Sequence, residues 1–125
     1  MTAIEITSRF GPSADLVLYQ GDCLSLLPEI PTGQAKLIVT SPPYNLGKEY
    51  ETRLSLDTYL EQQRQVIRAC ARVLHPKGSI CWQVGNYVSE GQIIPLDVKL
   101  YPLFEELGLQ MRNRIIWTFG HGLHA

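Results

Sequence analysis

The chain has 125 residues, 45% of them hydrophobic and 18% charged, with 11 basic residues against 12 acidic ones and a formal net charge of -1. That is the composition of one globular domain, able to bury roughly two-thirds of the surface its unfolded chain exposes. It excludes a disordered or coiled-coil chain and a protein that grips nucleic acid by bulk positive charge, while leaving room for a neutral enzyme with a local basic strip.

At the N-terminus, Glu5 and Arg9 interrupt the stretch where a secretion signal needs an apolar run. No apolar run approaches the roughly 18 residues that cross a bilayer, so a soluble cytoplasmic protein is expected. Residues 16–20 form a short apolar run that Gly21-Asp22 ends, which predicts a strand. Cys23 to Leu27 predicts a helical turn, closed by Pro28 and Pro31. Lys36 to Thr40 is β-branched and continuous rather than alternating, as in a strand covered on both faces; Ser41-Pro42-Pro43 ends it.

From Thr58 to Leu74, apolar residues fall at Tyr59, Leu60, Val66, Ile67, Cys70, Val73 and Leu74, the spacing of an amphipathic helix. Thr58 with Glu61 predicts a capping box, and His75-Pro76-Lys77-Gly78 predicts the stop. Arg64, Arg68 and Arg72 recur every four residues opposite the apolar stripe and read as a solvated face, with a phosphate-binding strip as the rival reading. Ser79 to Val84 predicts another covered strand, ended by a Gly-Asn turn. A second helix is expected within Pro95 to Leu107, starting near Tyr101 or kinked at Pro102. Gly108 caps it, and Arg112 to Phe119 predicts a last strand. Cys23, Cys70 and Cys81 lack a paired spacing and read as reduced, mostly buried thiols, not as a disulfide frame or zinc site. His75 sits in a turn and His121 and His124 near the end, so no metal centre is expected.

Alternating strands and helices predict an α/β fold, a mostly parallel sheet with helices on both faces, in a single domain over residues 1–125. Ligands of such sheets bind beyond the carboxyl ends of the strands. Gly21-Asp22, Ser41 to Asn45 and Gln83 to Asn86 therefore share one rim.

Ser41-Pro42-Pro43-Tyr44 is the chemically distinctive segment on that rim. Two prolines remove two backbone donors and fix both φ angles near -65°. A stiff arch remains, presenting a hydroxyl, an unpaired carbonyl and an aromatic ring. Such an arch accepts two hydrogen bonds from one amino group while the ring stacks on the flat body that bears it, which suits adenine or cytosine. The plainer readings are a loop breaker for the prolines and a packing aromatic for Tyr44. Asn45 and Lys48 follow, placed either to reach DNA or cofactor or to solvate the loop.

Thr40-Ser41-Pro42-Pro43-Tyr44-Asn45 resembles the catalytic motif of amino-group DNA methyltransferases, which move a methyl from S-adenosylmethionine to cytosine N4 or adenine N6. Gly21-Asp22-Cys23-Leu24, Leu74-His75-Pro76-Lys77-Gly78-Ser79 and Arg114-Ile115-Ile116-Trp117 resemble three further segments of that family in the same order, so the likeness spans most of residues 15–120. The resemblance implies a partial Rossmann-like methyltransferase fold and S-adenosylmethionine as cofactor. It implies Ser41 and the Pro42 carbonyl as acceptors for the amine protons, Pro43 as the stiffener and Tyr44 as the base-stacking ring. It also implies Ser41 and Asp22 as cofactor contacts; from the residues alone, Asp22 equally caps the turn after it. Double-stranded DNA is the implied partner, with the base turned out of the duplex, and neither a membrane nor a metal takes part.

Upstream of Ser41 there is no glycine-rich loop of the family's F-x-G-x-G type. In Phe119-Gly120-His121-Gly122, His121 stands in the first glycine's place and Leu123 in the second's, which reads as a loop. In permuted members the catalytic half precedes the target-recognition region and the glycine loop. The chain then corresponds to the N-terminal catalytic half, completed by a C-terminal half or another copy of the chain. Serine at the head of the arch favours cytosine N4; adenine N6 is the alternative, and a catalytically silent DNA- or partner-binding module is the non-enzyme reading. Glutamine methylation of release factors fits less well, because that arch begins with asparagine after a glycine loop.

Overall fold

The computed structural model describes residues 4–45 and 54–118. Strands β1 (Ile6–Thr7) and β2 (Leu16–Val17) pair in parallel, Ile6 opposite Leu16. The Leu18 amide extends the ladder with a 2.9 Å bond to the Thr7 carbonyl. The strand expected over residues 16–20 is thus shorter than its apolar run. At Gly21, with φ 154°, an added Cβ would lie 2.8 Å from the Tyr19 hydroxyl, so a larger residue would have to displace that ring. Helix α1 (Cys23–Leu26) follows as a single turn, its N-terminus capped by Asp22, and a 3-10 turn at Leu27–Glu29 carries Pro28.

Strands β3 (Ala35–Thr40) and β4 (Leu74–Trp82) form the central parallel pair, with Leu37 opposite Ser79 and Thr40 opposite Trp82. Strand neighbours alternate between faces. Trp82 lies against the core, whereas Leu37 is 60% and Val39 69% exposed, with Cys81 exposed opposite Val39. The expectation of helices on both faces is therefore corrected: among the described residues one face of this pair is covered and the other is open.

Helix α2 (Leu56–Val73) spans 18 residues between the two strands. Its cap is Ser55, in extended conformation, whose Oγ accepts from the Thr58 amide at 3.2 Å and lies 2.8 Å from the Thr58 hydroxyl. The expected Thr58–Glu61 box is displaced three residues towards the N-terminus, because Ser55 already supplies the acceptor that the first turn needs. The helix runs straight into β4, ending where Leu74 turns to extended backbone (φ -68°, ψ 131°) while its amide still donates to the Cys70 carbonyl. At Gly78 a Cβ would meet Leu74 Cδ1 at 2.9 Å and two backbone oxygens at 3.0 Å. The arginines are more than a solvated face. Arg72 binds the Leu27 and Ile30 carbonyls and the Thr32 hydroxyl, and Arg64 pairs with Glu61 and Glu106, while Arg68 is exposed.

Beyond β4, β5 (Asn86–Ser89) and β6 (Gln92–Pro95) form an antiparallel hairpin that the sequence reading reduced to a Gly-Asn turn. Its two-residue loop, Glu90 at φ 50° and Gly91 at φ 77°, has the mirror-image turn geometry that matches strand twist. Helix α3 (Leu96–Glu105) starts earlier than Tyr101 and keeps Pro102 inside it. Gly108, at φ 77°, closes the following turn by donating to the Glu105 carbonyl. Residues 112–118 form no strand, against expectation. Ile115 and Ile116 are 85% and 74% exposed, since no described strand lies beside them to pair with. The core joins Tyr59 and Ile67 of α2, Tyr87 of β5, and Leu96, Leu100 and Leu103 of α3. Mixed α/β elements with parallel pairs make up a partial Rossmann-like fold.

Candidate functional site

The site is the chain just after β3. The Thr40 carbonyl takes a 2.9 Å bond from the Gln83 amide, which ties the exits of β3 and β4 together. Ser41 and Pro42 each precede a proline, a position restricted to extended backbone, so the chain leaves the sheet straight. Ser41 is exposed, and its Oγ lies 2.8 Å from the Tyr44 hydroxyl. The Pro43 carbonyl points back to the core and accepts from the Tyr59 hydroxyl at 2.9 Å. No described residue donates to the Pro42 carbonyl.

Tyr44 is half-buried. Its ring lies against Gly85, where an added Cβ would be 3.0 Å from Tyr44 Cδ2. The plainer reading of Tyr44 as a packing aromatic thus describes one side of it, since it also packs on the core. Two of the three expected rim segments, 41–45 and 83–86, meet in this contact. The third does not join them through any hydrogen bond or ion pair among the described residues. Asp22 is the helix cap, its Oδ1 accepting from the Leu24 amide at 2.8 Å.

Asn45 departs from the expected DNA contact. It is 2% exposed, sits at φ 61°, and its carboxamide both donates to the Leu54 carbonyl and accepts from the Leu54 amide at 2.7 Å. Those bonds fix residue 54 to the foot of the hook, so the side chain holds the fold there. Lys48 lies outside the described residues, as does the loop at Phe119-Gly120-His121-Gly122.

The thiols divide differently from expectation. Cys70 is buried, but Cys23 and Cys81 are exposed. Burial, aided by Cys23, pushes the Cys70 thiol up to about 11. Partial burial and then the Asp22 charge raise that of Cys23. Among the described residues no three His, Cys, Asp or Glu side chains group as metal ligands, and no helix is long and apolar enough to cross a membrane.

Chemically, the hook offers an exposed hydroxyl, a carbonyl one residue on to which no described residue donates, and a half-buried ring. These can accept two hydrogen bonds from one planar amine while its ring stacks. Tyr59 and Gly85, which brace the hook, escaped the sequence reading. Tyr59 carried only the signal of a helix-stripe residue, and Gly85 only that of a turn.

A family model described as DNA methylase, covering N6 and N4 methyltransferases, matches residues 35–123. The type II methyltransferase M.BglII of Bacillus subtilis is 50% identical over 109 residues, which are 86% of this chain and 30% of that protein. Among solved structures, the PvuII DNA methyltransferase (cytosine-N4-specific) superposes with a TM-score of 0.60 at 26% identity, covering 72% of this chain and 33% of that one. A putative DNA modification methylase of Thermus thermophilus, TTHA0409, complexed with S-adenosyl-L-methionine, superposes with a TM-score of 0.60 at 25% identity over 78% of this chain and 47% of that one. The chain spans about a third of the length of the curated relatives it matches.

Proposed function

Since the chain belongs to the DNA methylase family of N6 and N4 methyltransferases, we propose that it is the catalytic part of an enzyme that methylates the exocyclic amine of a base turned out of double-stranded DNA, with cytosine N4 as the target. The observation that carries this reading is the pair of acceptors on the hook, the exposed Ser41 hydroxyl and the Pro42 carbonyl that no described residue occupies.

An exocyclic amine conjugated with its ring is a weak nucleophile. Ser41 Oγ accepts a hydrogen bond from one amine N–H and the Pro42 carbonyl from the other, which favours a pyramidal nitrogen with its lone pair free. Ser41 keeps a lone pair for this whichever way its bond to Tyr44 runs. Pro43 holds the carbonyl in place without adding a competing donor. Tyr44 offers the ring face away from Gly85 for stacking. Positioning of this kind supplies about 7–11 kcal/mol in well-oriented reactions. Serine at the hook and the cytosine-N4-specific neighbour both favour cytosine.

S-adenosylmethionine, when bound, supplies an electrophilic methyl on a sulfonium. Asp22 and Ser41 are the residues proposed to hold it. They fit part of the group: the exposed Asp22 carboxylate retains acceptor capacity beside its cap bond, suited to ribose hydroxyls or an ammonium. The partner proposed to complete the fold is the polypeptide that carries the glycine-rich loop.

The test uses the complete polypeptide encoded by the reading frame, tritiated S-adenosylmethionine and plasmid DNA from a host lacking amino-group methylation. Digestion to nucleosides should show label in N4-methylcytosine. Label in N6-methyladenine would replace the base assignment, and unlabelled DNA would leave the silent binding module as the reading.

A further inference from the structure

We infer that Tyr59 is a positioning residue for the hook: its buried hydroxyl, by holding the Pro43 carbonyl inward, turns the Pro42 carbonyl outward to the target amine. The inference rests on the proposed amine-methylating reading and deepens it.

Tyr59 is 2% exposed and lies in the first turn of α2, within the core of Ile67, Leu96, Leu100 and Leu103. Sixteen positions back along the chain, its hydroxyl donates to Pro43 at 2.9 Å. Extended, proline-restricted backbone winds with about three residues per turn, so successive carbonyls point in directions about 120° apart. Once the third carbonyl of Ser41-Pro42-Pro43 is tied to the core, the second cannot also face it. The hook has few other means of fixing this choice. Its prolines donate nothing, and among the described residues the Ser41 and Pro42 carbonyls accept nothing.

Two further contacts hold the hook at its ends. The Gln83 bond to Thr40 fixes its start, and the Asn45 carboxamide fixes its foot to Leu54, one residue before the Ser55 cap of the same helix. The start of α2 is therefore joined to the hook twice, through Tyr59 and through residue 54. Of the two, only the Tyr59 bond lands on a carbonyl adjacent to the one proposed to accept a hydrogen bond from the amine.

Tyr59→Phe removes the hydroxyl and keeps the ring in the core. In the complete polypeptide, with tritiated S-adenosylmethionine and the same plasmid DNA, kcat should fall about tenfold, the effect of losing one well-placed hydrogen bond. KM for cofactor and for DNA should stay within about twofold. Ile67→Val, which loosens the same core at a residue whose side chain forms no hydrogen bond to the hook, should lower the melting temperature at least as much and leave kcat unchanged. An unchanged kcat in Tyr59→Phe would overturn the positioning role, as would a fall that Ile67→Val reproduces. A wild type that transfers no methyl to DNA would remove the underlying reading and the inference with it, an outcome separate from the first two.

Discussion

At Asn45 two demands coincide, a left-handed backbone and a paired buried amide. The residue sits at φ 61°, and its carboxamide closes two 2.7 Å bonds on Leu54. Asparagine tolerates this backbone better than most non-glycine residues. Glycine at this position keeps the φ and loses the bonds, whereas alanine loses both. Asn45→Gly should therefore cost about 1–3 kcal/mol for the unpaired Leu54 groups, and Asn45→Ala about 1 kcal/mol more for the left-handed conformation; urea melts of the two variants check the order. Cys70 gives a second residue-scale test. Burial lifts its thiol to about 11, from 9.0 for the ordinary group. Between those values the unfolded chain has released the proton and the folded chain still holds it, so this contribution to stability is present below about pH 9 and lost as pH rises towards 11. Cys70→Ala should flatten the alkaline fall in melting temperature between those limits.

Among the elements, α2 was the most legible in the sequence, because its apolar stripe recurs with the helical period over 18 residues. Its start was misplaced by a local competition. Thr58 and Glu61 have the right spacing for a box, but Ser55 reaches the Thr58 amide first and leaves Thr58 inside the helix. Ser55→Ala should accordingly cost about 1 kcal/mol, and Glu61→Ala a few tenths at most, in thermal melts followed by helical circular dichroism. The hook was legible for a different reason: Pro42 and Pro43 restrict the backbone by covalent geometry, independent of what surrounds them. Tyr59 and Gly85 were not, since a bond across 16 positions and a ring seated on a glycine exist only once the chain has folded. The hairpin β5–β6 was missed because its turn uses Glu90-Gly91 and not a customary Asn-Gly. The last expected strand has a strand's composition, but no described strand pairs with it.

For the whole molecule, the covered and uncovered faces of β3–β4 set the behaviour. Continuous apolar sequence in β3 matches a strand meant to be covered twice, yet Leu37 and Val39 are exposed where their neighbours Ile38 and Thr40 turn inward. Ile6, Leu16 and Leu18 are also exposed, at 59%, 44% and 63%. Covering such side chains stabilises by roughly 25 cal/mol for each Å² of apolar area removed from water, and exposed apolar surface of this kind promotes association. The 125-residue chain by itself should therefore self-associate with rising concentration in sedimentation velocity. Replacing both Leu37 and Val39 by lysine should weaken that association, since the new side chains project from the open face and leave the core of α2 and α3 untouched. Circular dichroism should be unchanged in the double variant, which separates loss of association from loss of fold. Association undiminished by the two lysines would place the sticky surface elsewhere, at Ile115, Ile116 and Trp117, which are exposed on a segment paired with no described strand.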